Sequence, residues 1–360
     1  MNKKKVSALA LSTMMIMSMG TSVFAANVGT KDQPATASVT KDLQFAEGIT
    51  TPNATFEFSA LKVVPETADA PEATIAPINY SNTDEKGTLS AGKYSVKKDS
   101  EIVFGTFPHA GEYKYTVKET KGNVEGMSYS TQEYTLKVFV ANDEANGGLY
   151  VKSITAVDNA TNKKSDEIKF TNTYVKNGGK DDGKDALVIE KITKGDLADK
   201  TKDFDFELKF IKAATTAEAD KTVTGKIGND DVTFEYDKVT KFQLHGGEQL
   251  VFKDIPAGTR YVVTEVGADD GYTAGVDVIE NGTGTTKKTA VNDADSVCSA
   301  ENNQSNLIGE KENKVTFTNT YKDVPITGII ANNMPFVLMA AFALLASVGY
   351  ALTKRRFTKR

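Results

Sequence analysis

Residues 168–174 read Ile168-Lys169-Phe170-Thr171-Asn172-Thr173-Tyr174, and residues 315–321 read Val315-Thr316-Phe317-Thr318-Asn319-Thr320-Tyr321. The pentapeptide Phe-Thr-Asn-Thr-Tyr therefore occurs twice in a chain of 360 residues. Aromatic and β-branched residues in strict alternation mark each copy as a strand. Strand side chains alternate between two faces, so parity assigns each residue to one of them. Ile168, Phe170, Asn172 and Tyr174 share a face, as do Val315, Phe317, Asn319 and Tyr321. Both asparagines point inward with the aromatic rings. A long-period repeat of this kind implies a duplicated structural unit.

Working back from each copy, the two halves agree further. Each begins with a lysine in an apolar strand, Lys41 and Lys191, and each carries a glutamate at the end of a Tyr/Val strand, Glu119 and Glu265. Glutamate follows lysine by 78 residues in the first half and by 74 in the second. Asparagine follows glutamate by 53 and 54 residues. Differences this small are what loop-length variation leaves in a duplicated fold. Parity places Lys41 with Val39 and Leu43, and Glu119 with Tyr113, Tyr115 and Val117. Lys191 falls in phase with Leu187 and Ile189, and Glu265 with Tyr261 and Val263, although Val188, Ile192 and Val262 make the opposite faces partly apolar too.

The rest of the interior reads as strands and turns. Residues 55–60, 113–117, 134–140, 232–236 and 261–265 alternate or are rich in β-formers, and Gly246-Gly247 and Asn281-Gly282 punctuate them as turns. Many short strands with frequent turns predict an all-β chain of two tandem sandwiches. Residues 176–185 (KNGGKDDGKD) are polar and glycine-rich, which predicts a linker. The expected organisation is an N-terminal extension at 26–36, a first domain at 37–175, the linker, and a second domain at 186–322.

Each core is thus expected to hold a lysine, a glutamate and an asparagine. Burying charges costs several kcal/mol per ion. Burial lowers a lysine pKa and raises a glutamate pKa, favouring the neutral pair. A neutral amine is a nucleophile. A protonated carboxyl can polarise the asparagine carbonyl and shuttle protons. Attack on the side-chain amide carbon would release ammonia and leave an isopeptide bond.

Composition narrows the alternatives. A formal net charge of −5 argues against a nucleic-acid partner, which selects basic surfaces. Cys298 is the sole cysteine, so no internal disulfide forms, and no catalytic signature surrounds it. His109 and His245 stand far apart, without metal-ligand spacing, so no metal and no cofactor are expected. Glu119 and Glu265 lie in separate repeats, which argues against a shared glycosidase site. The sequon Asn159-Ala160-Thr161 is read as incidental.

The ends carry export signals. Lys3, Lys4 and Lys5 precede an apolar run from Val6 to Met19 that closes at Val23-Phe24-Ala25, a secretory signal spanning 1–25. At the other end come Val324-Pro325-Ile326-Thr327-Gly328, an apolar stretch at 334–352 long enough to span a bilayer as a helix, and a basic tail at 353–360. This order resembles the sortase sorting signal, usually LPxTG, with Val324 in place of leucine. The resemblance implies cleavage between Thr327 and Gly328, so that the membrane helix is transient and the chain ends anchored to the cell wall.

With the duplicated lysine, glutamate and asparagine, the layout from signal to sorting motif resembles the two-domain backbone pilins. Those Gram-positive proteins carry streptococcal-type isopeptide-linkage domains related to the Cna protein B-type fold. The resemblance implies two tandem Ig-like β-sandwiches, with Lys41 joined to Asn172, Lys191 joined to Asn319, and Glu119 and Glu265 as the catalysts. It implies a structural subunit, not an enzyme with an external substrate. Sortase, identical subunits in a head-to-tail polymer, other pilins or peptidoglycan, and a host surface are the implied partners. Polymerisation also needs an acceptor lysine just before the final strand of the first domain; Lys164 is the first candidate, with Lys163 and Lys176 as alternatives. A monomeric wall-anchored adhesin built on the same domains is the competing function.

Overall fold

The computed structural model of the chain describes residues 27–145, 147–268, 271–288, 296–301, 304–321, 336, 338–339 and 342–347. The secretory segment 1–25, the motif at 324–328 and the tail at 353–360 lie outside the described residues. Of the membrane segment expected at 334–352, only 336, 338–339 and 342–347 are described, and they are helical. Among the described residues no helix is long and apolar enough to cross a membrane. The chain divides into two compact units, one ending at Lys176 and one beginning at Asn177. Strands dominate both, as the alternation predicts.

In the first unit the strands form one hydrogen-bonded path that folds over on itself. The turning point is the long strand Lys93–Phe104. Its first part pairs with Ser38–Ala46, and its last three residues pair with Ala73–Ile75. One leaflet holds the first strand Ser38–Ala46 and the last strand Ile168–Tyr174, which run parallel. The other holds Ala54–Lys62, Gly111–Thr120, Glu133–Asn142 and Leu149–Asp158. Phe170 from the first leaflet meets Phe58 and Tyr134 from the second, with ring centroids 5.4 and 5.6 Å apart. Full burial of each such side chain is worth about 1.5–3 kcal/mol. The N-terminal extension joins this unit: Asn27–Val28 pairs with Ser153–Ile154.

The second unit repeats the plan with two separate sheets. The first strand Leu187–Lys194 again lies parallel to the last strand Lys314–Tyr321, in a sheet of seven strands. The second sheet contains Phe204–Ile211 paired with Arg260–Val266. Both sheets contribute to one core rich in phenylalanine, including Phe206, Phe210, Phe234, Phe242, Phe252 and Phe317. Phe206 meets Phe317 across the sheets at 5.2 Å.

The expected linker at 176–185 differs from its reading. From Asn177 onward it is folded onto the second unit. Gly178 and Gly179 donate their peptide N–H groups to the carbonyls of Ile255 and Gly309, and Asp181 donates to Glu310. Asp182 Oδ2 accepts from the Glu312 N–H at 3.0 Å. Gly179 and Gly183 take left-handed conformations (φ 70° and 64°) that flank a single 3₁₀ turn, Lys180–Asp182. A polar, glycine-rich stretch lacks the side chains for a core, but its backbone groups still fold where neighbouring carbonyls accept them.

Candidate functional site: two buried lysine–glutamate–asparagine sets

The first and last strands place the lysine and asparagine of each unit on one face in the same register. Lys41 is opposite Phe170 and Leu43 opposite Asn172. Lys191 is opposite Phe317 and Thr193 opposite Asn319. The glutamate arrives from the facing layer in both units, with Glu119 paired to Phe58 and Glu265 to Phe206. A pleated strand presents alternate residues, so the tyrosines and valines that share the glutamate's parity carry it into the core.

All six side chains are buried. Lys41, Asn172, Lys191, Glu265 and Asn319 are 0% exposed and Glu119 is 7% exposed. In the first unit Lys41 Nζ donates to Glu119 Oε2 at 2.7 Å, and Asn172 Nδ2 donates to Glu119 Oε1 at 2.6 Å. Asn172 Oδ1 accepts the Ser130 peptide N–H at 2.8 Å. In the second unit Lys191 Nζ and Asn319 Nδ2 both donate to Glu265 Oε1, each at 2.6 Å.

Burial pushes the Lys41 amine down to about 8, against the hydrogen bond and charge of Glu119 that hold it up. Burial likewise pushes Lys191 down to about 8, against Glu265. The Glu265 carboxyl is pushed up by the same desolvation, partly offset by Lys191. The buried amines therefore lie much closer to their neutral, nucleophilic form than an ordinary lysine.

Aromatic rings complete each set. Lys41 Nζ lies 4.3 Å from the Phe56 ring centroid, and Lys191 Nζ lies 4.0 Å from that of Phe204 and 5.9 Å from that of Phe206. The sequence reading missed these residues, although Phe56-Glu57-Phe58 and Phe204-Asp205-Phe206 recur after the lysine of each half. It also expected the glutamate to face the asparagine carbonyl. In both units the carboxylate instead faces the amide nitrogen. In the first unit Ser130 explains why: a peptide N–H can only donate, so the atom it meets must be the amide oxygen.

Residues 37–175 match the family of Spy0128-like isopeptide containing domains. Over 339 residues the chain is 27% identical to a pilin of Streptococcus pyogenes serotype M1, covering 88% of this chain and 89% of that pilin. Residues 37–175 belong to that domain family, and the chain is similar to that pilin along most of its length. Residues 185–321 match a family described as a domain of unknown function, DUF7601. A shorter stretch of the chain, 84 residues, is 36% identical to the pilus tip adhesin Cpa of Streptococcus pyogenes, covering 23% of this chain and 12% of the adhesin. A crystal structure of the major pilin from Streptococcus pyogenes is similar at 25% identity and a TM-score of 0.36, covering 80% of this chain and 99% of that one.

Among the acceptor-lysine candidates, Lys163 and Lys164 are exposed and Lys176 is half-buried. Lys164 lies in the short strand Lys163–Ser165, opposite Val157. Cys298 is buried, with its sulfur 3.4 Å from the Thr264 hydroxyl. His109 pairs with Asp69 and His245 with Glu248, at separate places.

Proposed function

We propose that this pilus subunit is the repeating backbone of a sortase-assembled fibre, and that each unit is closed by a self-generated bond, Lys41 to Asn172 and Lys191 to Asn319. The observation that carries the reading is the register. In both units a carboxylate contacts the amine and the amide nitrogen at once, with lysine and asparagine on neighbouring parallel strands.

The chemistry follows from those contacts. The neutral Lys41 amine attacks Cγ of Asn172. Glu119 takes a proton from the amine through one oxygen and delivers a proton to Nδ2 through the other. The Cγ–Nδ2 bond breaks, ammonia leaves, and the Nζ–Cγ bond remains. Amine plus carboxamide becomes substituted amide plus ammonia, with no oxidant or cofactor.

The fold gives the bond a mechanical role. The first and last strands of each unit are parallel neighbours, so pulling on the two ends shears one strand along the other. A covalent link between them takes that load. By analogy with a disulfide, closing a ~100-residue loop restricts the unfolded chain by about 4.7 kcal/mol. This bond is not reducible, which suits an exported fibre with one cysteine.

Polymerisation joins Thr327 of one subunit to a lysine of the next, with the exposed Lys164 first, then Lys163 and the half-buried Lys176. Mature ectodomain should weigh less than its sequence by two ammonia molecules; an undiminished mass would refute the internal bonds. Cell-wall extracts should show a ladder of SDS-resistant multimers that Lys164→Ala reduces to monomer. A single band from the native protein would instead favour a monomeric adhesin.

A further inference from the structure

The Ser130 peptide N–H has a role that the lysine–glutamate–asparagine set leaves open. Attack on Cγ of Asn172 drives negative charge onto Oδ1. Glu119 is not available to stabilise it, because its two oxygens already face Lys41 Nζ and Asn172 Nδ2. The Ser130 N–H points at Oδ1 from 2.8 Å. A fixed donor aimed at the atom where charge develops lowers the barrier more than it stabilises the ground state, above all in a site that excludes water.

We propose that the Ser130 peptide N–H is the oxyanion donor of the first unit, a catalytic group supplied by the backbone. The proposal rests on the isopeptide reading above. It assigns a division of labour in which Glu119 moves the protons and Ser130 holds the oxyanion.

The segment is built to hold that donor still. Immediately before it, Met127–Ser128 pairs with Thr173–Tyr174, the end of the asparagine strand. Tyr129 packs edge-on against Phe56, the ring beneath the Lys41 amine, at 6.2 Å. Its hydroxyl accepts the Val124 N–H at 3.0 Å. On the other side, Gln132 donates from its side chain to Asp158 at 2.6 Å. The strand that bears the leaving group and the ring that covers the nucleophile thus both fix the position of Ser130. Such preorganisation lets a dipole act without reorganising during the reaction.

The test replaces the N–H by an oxygen atom. In cell-free translation of the full ectodomain, an ester replaces the peptide link between Tyr129 and Ser130, so that oxygen stands where the N–H was. Samples quenched over time are digested, and each cross-linked peptide is quantified by mass spectrometry. Loss of one oxyanion donor typically slows a reaction by about 100–1,000-fold, and the Lys41–Asn172 bond should slow by at least 100-fold. The Lys191–Asn319 bond in the same molecules should form at its usual rate, showing that the chain is made, and protease resistance of residues 37–175 shows that the first unit is folded. Ser130→Ala keeps the N–H and should react normally. Ser130→Pro removes it by a second route and should be slow. A normal Lys41–Asn172 rate in a folded ester or proline variant overturns the proposal. Failure of both bonds in the unaltered protein would refute the isopeptide reading itself.

Discussion

The two buried sets have the same three side chains in the same register, yet their surroundings differ. In the first unit Glu119 gives one oxygen to the amine and the other to the amide, and the amide oxygen has a peptide donor. In the second, Glu265 Oε1 accepts both hydrogen bonds, and among the described residues neither Glu265 Oε2 nor Asn319 Oδ1 has a hydrogen-bond partner. Both glutamate side chains are fully buried, and Lys191 lies near two rings where Lys41 has one. Desolvation is the largest influence on both lysines, and the two sets differ in how their polar atoms are partnered. The repeat therefore keeps the three side chains and varies the hydrogen-bond partners around them.

The largest effect should come from removing one carboxylate. Each glutamate contacts the lysine and asparagine of its own unit. Glu119→Ala should abolish the first bond and spare the second, and Glu265→Ala should do the reverse. Measured against the mass of its own sequence, the deficit should shrink from two ammonia molecules to one in each single variant and vanish in the double. Each unlinked unit also loses its loop restraint and keeps a buried amine without its partner, a combination worth about 3–5 kcal/mol or more. Its proteolytic and thermal resistance should fall accordingly. Loss of both bonds from one substitution would break the picture of two independent sites.

Much of this was legible in the sequence. Lysine, glutamate and asparagine could be placed inward because strand parity is rigid: one-residue slips would turn Tyr113, Tyr115 and Val117 outward along with Glu119. The doubled spacing then paired the sets. Other features left weaker traces. The Phe56 and Phe204 rings look like ordinary core residues until an amine is placed beside them. Asp42 falls on the face opposite Lys41, yet it is buried too, held by Lys169 at 3.2 Å and by the Ser95 hydroxyl at 2.6 Å. Ser130 acts through a group that every residue except proline has, so no residue type announces it. The stretch at 176–185 misled because composition reports side-chain packing, whereas its folding rests on backbone hydrogen bonds.

The next effect is a pH dependence that appears only when the bond is absent. Asn172→Ala and Asn319→Ala keep each lysine buried beside its glutamate but cannot be linked. An unfolded lysine titrates near 10.5, and these folded amines sit at about 8. Between those values the unfolded chain binds more protons than the folded one, so stability rises with pH across the window. The contribution is complete above 10.5 and is lost as pH falls to about 8, a span worth up to ~3 kcal/mol. Urea unfolding of each variant from pH 7 to 10 should show the rise, measured against the linked protein, whose amide nitrogen no longer titrates. A flat difference would mean that the lysines remain charged in the core.

The smallest effect separates two roles for the rings. A ring face attracts an ammonium by about 0.5–2 kcal/mol and so favours the protonated amine. The same ring excludes water and favours the neutral one. Phe56→Leu and Phe204→Leu keep an apolar side chain but remove the π-face. If exclusion of water is what leucine preserves, the amine becomes easier to deprotonate, and the pH midpoint of bond formation moves down by less than one unit. Below that midpoint the reaction then speeds up a few-fold. The shift should be larger for Phe204, whose centroid is 4.0 Å from Nζ, than for Phe56 at 4.3 Å. Rate profiles from pH 6 to 9, read separately for the two cross-linked peptides, measure both shifts in one sample. A midpoint that moves up instead would show that leucine admits water, and that the rings act chiefly by keeping these amines dry.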